Sequence, residues 1–343
     1  MPAKKTVYDH IWENKLKTIG LVLLFPVVML ALVWCGLWVA VYFSTNDPDF
    51  LTIGAQNAID WFPSVADIIS EDNIVTCVTL GYFIYLIVPI LIFCGAWLTF
   101  VYFLGSSSLL SISNAFKADK TEYKQVHRAV ENVAIMAGLP KPRVFIIDDE
   151  SMNAFTTGAR PQNATIALSK GLIEKLKPAE LQAVIAHEMA HIGNRDVLLN
   201  LMLAEGIGVF AFLADVFRRF AFVPRRSGKG EGAMTLVFGL LSVLFLIFSY
   251  IVAPIIYLAV SRTREYNADA TGAKIVHDPM ALANALHKVG LDSRIEALGI
   301  ARNAAMFCFV DPKYKCAHLI KTDSLFDTHP PIAKRIRRLK SMV

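Results

Sequence analysis

Long uncharged stretches alternate with polar segments along the chain. Residues 19–43, 74–104 and 233–260 contain no Asp, Glu, Lys or Arg. A helix rises about 1.5 Å per residue, so each run exceeds the roughly 30 Å of hydrocarbon in a bilayer. A fourth apolar run, residues 197–217, is interrupted by Glu205 and Asp215. Charged groups are costly in lipid, so this pair is expected to face protein or a wet cavity. The first run is too long for the apolar part of a signal peptide and no cleavage site follows it, which predicts an uncleaved anchor.

Between the second and fourth stretches the periodicity shortens. Residues 122–137 have the spacing of an amphipathic helix, stopped by Gly138 and Pro140. Residues 143–147 predict a strand and 148–151 a turn. Residues 153–157 and 164–169 predict two more strands, joined by a Gly-Ala-Arg-Pro-Gln segment of hairpin composition. A helix is predicted to begin after Lys177, with Pro178 at its first position, and to run through His191. Helical patterns return at 262–277 and 279–290, and no internal repeat occurs. The fold class is therefore mostly α with a small β-sheet, in a polytopic membrane protein.

Composition agrees. Of 343 residues, 18% are charged and 55% hydrophobic, against about 25% charged in a soluble domain. The net charge is +5, but its Lys and Arg sit mostly beside the apolar runs and no nucleic-acid motif is present, which excludes nucleic acid as a partner. Residues 44–73 carry six acids and no Lys or Arg, whereas basic residues flank both outer ends of the first pair of runs. The positive-inside rule then predicts a cytoplasmic N-terminus, an outside loop at 44–73, and a cytoplasmic return after residue 104. The five cysteines, Cys35, Cys77, Cys94, Cys308 and Cys316, form no C-x-x-C pair. They read as small buried hydrophobes rather than a disulfide framework or a zinc set.

The chemistry lies in His187-Glu188-Met189-Ala190-His191. Residues four apart share a helix face, so both imidazoles can reach one ion. Glu188 sits about 100° round the helix, where it can take a proton from water. The surrounding Ala183, Val184, Ile185 and Ala186 make the helix largely apolar, and three polar groups on a buried face need partners. A catalytic zinc takes three protein ligands. Glu265, which opens the polar segment after the last apolar run, supplies the third. Asp269, one turn further on the same face, is placed to accept the second N–H of His187 or His191.

These motifs resemble the HtpX-type membrane zinc peptidases, which are related to the CAAX-processing zinc proteases of eukaryotes. The resemblance rests on H-E-x-x-H, then a membrane hairpin, then E-x-x-x-D. It extends to Ala137 through Pro140, Met152 through Phe155 with Thr157 and Gly158, Gly171 through Ile173, His187 through Asp196, and Thr328-His329-Pro330-Pro331 with Arg335. It implies a cytoplasmic zincin-like metalloprotease domain with one Zn²⁺ per chain. The metal ligands would be His187, His191 and Glu265, with Glu188 and His329 catalytic, and Asp269 and Arg335 beside them. Asn153, Ala154 and Phe155 would be an edge strand that pairs with extended substrate. The implied function is endopeptidase action on damaged or misfolded membrane proteins, with the active site facing the cytoplasm from the cell (inner or plasma) membrane. The partners would be membrane-protein or unfolded-protein substrates and the lipid bilayer.

The expected organisation is a cytoplasmic segment (1–18), two spans (19–43 and 74–104) around the outside loop, and a metalloprotease domain in two halves (105–196 and 261–343). A membrane hairpin, 197–260, separates the halves. Because both histidines precede this hairpin and Glu265 follows it, the segment must leave and return on one side. Its linker, 218–232, holds five Arg or Lys and one acid, contrary to the expectation for an outside tip. Two arrangements meet the constraint: a true hairpin with a basic outside tip, or a pair that dips into the membrane. The resemblance favours four spans. Three other functions remain open from the sequence: CAAX-type processing, a scaffold with a structural zinc using His329 as fourth ligand, and a transporter using Glu205 and Asp215.

Overall fold

A computed structural model describes residues 7–43, 48–61, 74–222, 231–293, 308–310 and 329–343. Cys316, His318, Thr328 and the linker residues Arg225, Arg226, Ser227 and Lys229 lie outside the described residues. The chain forms two compact units. One comprises Met1–Ile19, Phe100–Glu205 and Pro254–Val343, and the other Gly20–Thr99 and Gly206–Ala253.

The second unit is helical. It contains most of α1 (Val7–Phe43), all of α2 (Pro48–Trp61), most of α3 (Ile74–Ile112) and α7 (Asp196–Ala221), and α8 (Glu231–Ile247). Four helical segments, Trp12–Val39, Ile74–Ile112, Asp196–Ala221 and Thr235–Val252, are long and apolar enough to cross a membrane. Leu23, Val27, Val88 and Ile92 are exposed, as suits helices whose outer faces meet hydrocarbon rather than water. Inside the unit, Phe25 stacks on Trp97 at 3.8 Å between ring centroids. Asp215 is not isolated: Arg218 and Arg219, one turn further along α7, reach its two oxygens at 2.5 and 2.7 Å.

Residues 248–252 form a π-helical turn that leads from α8 into α9 (Ala253–Val276). Pro254 lies two residues on, and proline has no N–H to donate to the preceding turn. The last apolar run and the polar pattern at 262–277 are thus one helical path, which carries Glu265 beyond the apolar run.

The first unit carries a four-stranded sheet in the order β1-β2-β4-β3, with β1 Ala115–Lys117, β2 Arg143–Ile147, β3 Ala154–Thr157 and β4 Thr165–Ser169. The pair β2 and β4 is parallel, while β1 and β3 run antiparallel to their neighbours. Helices α4 (Lys124–Ala137), α6 (Pro178–Gly193), α10 (Pro279–Val289) and α11 (Ile332–Lys340) accompany it, with the short α5 (Lys170–Lys175) after β4. Ile146, Ile166 and Leu168 from the sheet join Val184, Ile185 and Met189 of α6 and Leu282 and Leu286 of α10 in one core.

α4 starts two residues later than the periodicity predicts. Asp119 accepts the N–H groups of Thr121 and Glu122 at 2.7 and 3.0 Å, holding them in a turn. Gly138 ends the helix in the left-handed region at φ 63°, as a C-terminal glycine does. At the start of α6, Glu180 reaches back to the Lys177 N–H at 2.8 Å, and the same oxygen accepts Lys288 Nζ at 2.6 Å. That contact ties α6 to α10.

Candidate metal centre

α6 presents His187 and His191 one turn apart, and α9 presents Glu265 and Asp269 one turn apart. What lets the two helices meet is Gly272. A Cβ there would stand 2.8 Å from the His187 nitrogen and 2.9 Å from its Cα. The α9 backbone therefore lies directly against the α6 backbone at the first histidine.

The imidazoles turn their Nδ1 atoms outward to carboxylates. His187 Nδ1 lies 3.0 Å from Asp269 Oδ1, and His191 Nδ1 lies 2.9 Å from Asp196 Oδ2. With the protons on Nδ1, the two Nε2 lone pairs face each other at 3.2 Å. Glu265 completes the group, with oxygens 3.8 Å from His187 Nε2 and 3.6 Å from His191 Nε2. Among the described residues, the donor atoms of His187, His191 and Glu265 all lie within 4.8 Å of one another. With both rings neutral, two facing lone pairs and a carboxylate repel unless a cation lies between them; without a metal, a proton on His191 takes that place. Tetrahedral ligands bound at about 2.05 Å stand about 3.3 Å apart, so these separations suit a small divalent ion. Glu265 Oε2 is buried and meets only the longer contacts of His329 and Arg335, which leaves a lone pair for such an ion.

Surrounding groups fix this arrangement. Arg335, fully buried on α11, grips Asp269 with two bonds of 2.8 Å and donates to the Phe309 carbonyl at 2.8 Å. Its Nη1 also lies 3.5 Å from Glu265, and His329 Nδ1 lies 3.3 Å from the same oxygen. Phe309 packs edge-on against the His187 ring at 4.9 Å. Asn14 of α1 donates to Asp196 Oδ1 at 2.6 Å and to the Asn194 carbonyl at 2.9 Å. Glu188, the next residue of α6 after His187, accepts the Thr156 hydroxyl at 3.0 Å and interacts with the charges of His191, Glu265 and Arg335.

Burial and charge then separate the titrations. Burial pushes the Glu188 carboxyl up to about 7, against the opposing pull of His191 and the Thr156 hydrogen bond. Burial also pushes His187 down to about 4, although Asp269 resists. For His191 burial acts downward too, but the Asp196 hydrogen bond and the charges of Glu265, Asp196 and Glu188 outweigh it and hold the ring near 9. Glu265 is stabilised as a carboxylate: burial would raise it, but His329, His191 and Arg335 hold it well below the usual range.

The sequence reading left the partner of Asp269 open between the two histidines; the structure places it on His187. It did not single out Asp196, Asn14, Thr156, Gly272 or Phe309. Asp196 had a signal, being a carboxylate at the head of an apolar run, where it needs a use. The strand expected at 153–157 begins at Ala154, because the Asn153 side chain is committed to the chain itself, donating to the Ser293 and Val310 carbonyls at 2.9 and 2.8 Å. β3 is an edge strand of the sheet. Its outer edge is met by Cys308–Val310, through a Phe155–Cys308 bridge and a 2.8 Å bond from the Phe309 N–H to the Ala154 carbonyl. Substrate pairing along that edge requires this segment to move away.

Residues 120–343 match Peptidase family M48. The "Protease HtpX homolog" of Bacteroides fragilis (strain YCH46) is 34% identical over 332 residues, covering 96% of each chain. That of Thermoanaerobacter pseudethanolicus is 41% identical over 242 residues, covering 68% of this chain and 77% of the relative. The crystal structure of S. mikatae Ste24p superposes with a TM-score of 0.44 at 20% identity, over 85% of this chain and 62% of that one. The chain belongs to peptidase family M48. It is a membrane metalloprotease, as the motifs and the apolar helices lead one to expect.

Proposed function

We propose that the chain is a zinc-dependent endopeptidase that cuts damaged or misfolded membrane proteins on the cytoplasmic side of a multi-pass membrane domain. The observation that carries this reading is the convergence of His187, His191 and Glu265 on one point beside the buried carboxyl of Glu188. The first three residues would hold one zinc ion. When bound, zinc supplies Lewis acidity, which polarises a peptide carbonyl and acidifies water. Glu188, with a pKa near neutrality, takes a proton from water and passes it to the leaving amine. Thr156 fixes which carboxylate oxygen faces the reaction. His329, held against Glu265, supplies a donor for the carbonyl oxygen as charge develops there. Arg335 holds Asp269 and Glu265 in place. Residues 153–155 pair with extended substrate once Cys308–Val310 has withdrawn.

The test uses the full chain purified in detergent, stripped with a chelator and refilled with one equivalent of zinc. Cleavage of casein, and of a destabilised membrane protein at least about tenfold faster than its folded parent, is the expected result. A protein carrying stoichiometric zinc that cuts neither substrate would end this reading. Equal rates on the folded and destabilised forms would leave the peptidase but remove the quality-control role.

The carboxylates behind the histidines give a graded prediction. Asp269→Ala and Asp196→Ala are each expected to weaken zinc binding by about 10–100-fold, since each frees one imidazole to rotate and lose basicity. Competition against a chelator of known affinity measures this, and unchanged affinity in either variant removes that residue from the site.

Orientation rests on the charge pattern: six acids and no Lys or Arg at 44–73, with basic residues at both outer flanks. Four spans put the 218–232 linker outside. A single cysteine introduced as Ser227→Cys, in a background without the native cysteines, is expected to react with a membrane-impermeant thiol reagent in intact cells. Reaction only after the membrane is broken would replace the four-span arrangement with the dipping pair.

A further inference from the structure

The first unit contains a cleft of about 320 Å³ whose lining includes none of His187, His191 and Glu265. It lies between the N-terminal part of α1, α3, the turn after β3, and the corner joining α6 to α7. Its lining is mostly apolar, with Tyr102, Ile192 and Leu198 among the residues, and three cations also line it: Lys15, Arg160 and Arg195. Among the described residues none of the three is held in an ion pair. Arg160 lies 5.7 Å over the Tyr102 ring. Arg195 is held at φ 61°, a conformation that costs a non-glycine residue about 1 kcal/mol or more and marks a constrained position.

The cleft also sits at a particular level of the chain. Lys15 and Thr18 immediately precede the uncharged run at 19–43, Tyr102 closes the run at 74–104, and Leu198 opens the run at 197–217. Three apolar runs therefore begin or end around it, where a helix passes from water into a headgroup region. Cations without ion-pair partners in a mostly apolar cleft at that level of the chain complement a phosphate that carries acyl chains. We propose that this cleft binds the headgroup of an anionic phospholipid, with Lys15, Arg160 and Arg195 on the phosphate. This rests on the apolar runs entering a bilayer, not on the peptidase reading, and each can fail without the other.

Native mass spectrometry of the full chain tests it, with equimolar phosphatidylglycerol and phosphatidylcholine of identical acyl chains. Wild-type protein is expected to retain phosphatidylglycerol about 10–100-fold over phosphatidylcholine. The triple variant Lys15→Gln, Arg160→Gln, Arg195→Gln should lose that preference. Thr18→Phe, which fills the cleft without changing charge, should lose it too. A control of equal charge change, Lys124→Gln, Arg128→Gln, Lys274→Gln, should keep it. A preference that survives in the triple variant or in Thr18→Phe overturns the proposal, as does an equal loss in the control. Displacement of the lipid by millimolar inorganic phosphate would assign the cleft to a free phosphate and overturn it as well.

A separate observation concerns Asn14. It is 5% exposed, and its amide spans Asp196 and the Asn194 carbonyl. Asp196 in turn holds His191. We infer that Asn14 is a positioning residue, through which α1 sets the orientation of a metal-binding imidazole; this rests on the metal centre proposed above. Asn14→Leu keeps the bulk and loses the donors. It is expected to weaken zinc binding roughly 3–10-fold, less than loss of Asp196 itself, while Asn14→Gln, which keeps an amide, recovers most of the affinity. A lower thermal midpoint with unchanged zinc affinity would make Asn14 a packing residue only and overturn the inference. Zinc binding absent from the wild-type chain would instead end the proposed metal centre.

Discussion

Glu188→Gln is expected to keep its zinc and lose about 10²–10⁴ of the peptidase rate, the range a positioned general base contributes. The substitution preserves shape and still offers an oxygen to the Thr156 hydroxyl, which now sits 3.0 Å from Glu188. It removes only the capacity to take a proton. Because Glu188 is not among the three converging groups, metal content should match wild type. His187→Ala, His191→Ala and Glu265→Ala delete one of three ligands each and should lose the metal together with activity. Elemental analysis of the four variants separates the roles. Loss of zinc from Glu188→Gln to the same degree as from His187→Ala would make Glu188 a ligand rather than a base.

The second large effect is expected from the smallest change. Gly272→Ala adds one methyl group whose three nearest neighbours are backbone atoms of His187 and Ala186, at 2.8 to 3.1 Å. Backbone cannot rotate away as a side chain can, so α6 and α9 must separate. Overpacking of this kind costs about 1–3 kcal/mol. The separation also draws Glu265 and Asp269 away from the two imidazoles, because all three α9 positions belong to one rigid helix. Zinc affinity should fall at least about tenfold, and thermal stability with it. Gly239→Ala provides the control, since a Cβ there meets nothing within 4 Å. Equal behaviour of the two variants would show that the close approach of α9 to α6 has no bearing on the site.

Sequence periodicity made the local elements legible. The strand at 143–147, the helix beginning at Pro178 and the stop at Gly138 are set by neighbours a few residues away. The His-Glu-x-x-His pattern was legible for the same reason, since helical geometry alone places both imidazoles on one face. What escaped depends on distant partners. Ala115–Lys117 is only three residues long and becomes a strand because β2 offers it an edge. Asn14 and Asp196 are 182 positions apart, and nothing near either one announces the other. Gly272 looks like an ordinary helical glycine until the α6 backbone is seen against it. Cys308–Val310 carries no strand pattern of its own and takes its conformation from the edge of β3. The charges at Glu205 and Asp215 were legible as a difficulty; that Arg218 and Arg219 compensate Asp215 from its own helix follows from spacings of three and four residues.

Arg335 reaches Asp269 from α11, while Asn14 reaches Asp196 from α1. Between them they draw on parts of the chain made more than three hundred residues apart. During synthesis the anchor of Asp196 precedes both histidines, whereas the anchor of Asp269 follows the histidines and Glu265. A nascent chain stalled anywhere short of residue 335 holds the hydrolytic motif without a fixed Asp269 to orient His187. The geometry of the centre is thus complete only when α1 and α11, from opposite ends of the described residues, are both folded against it.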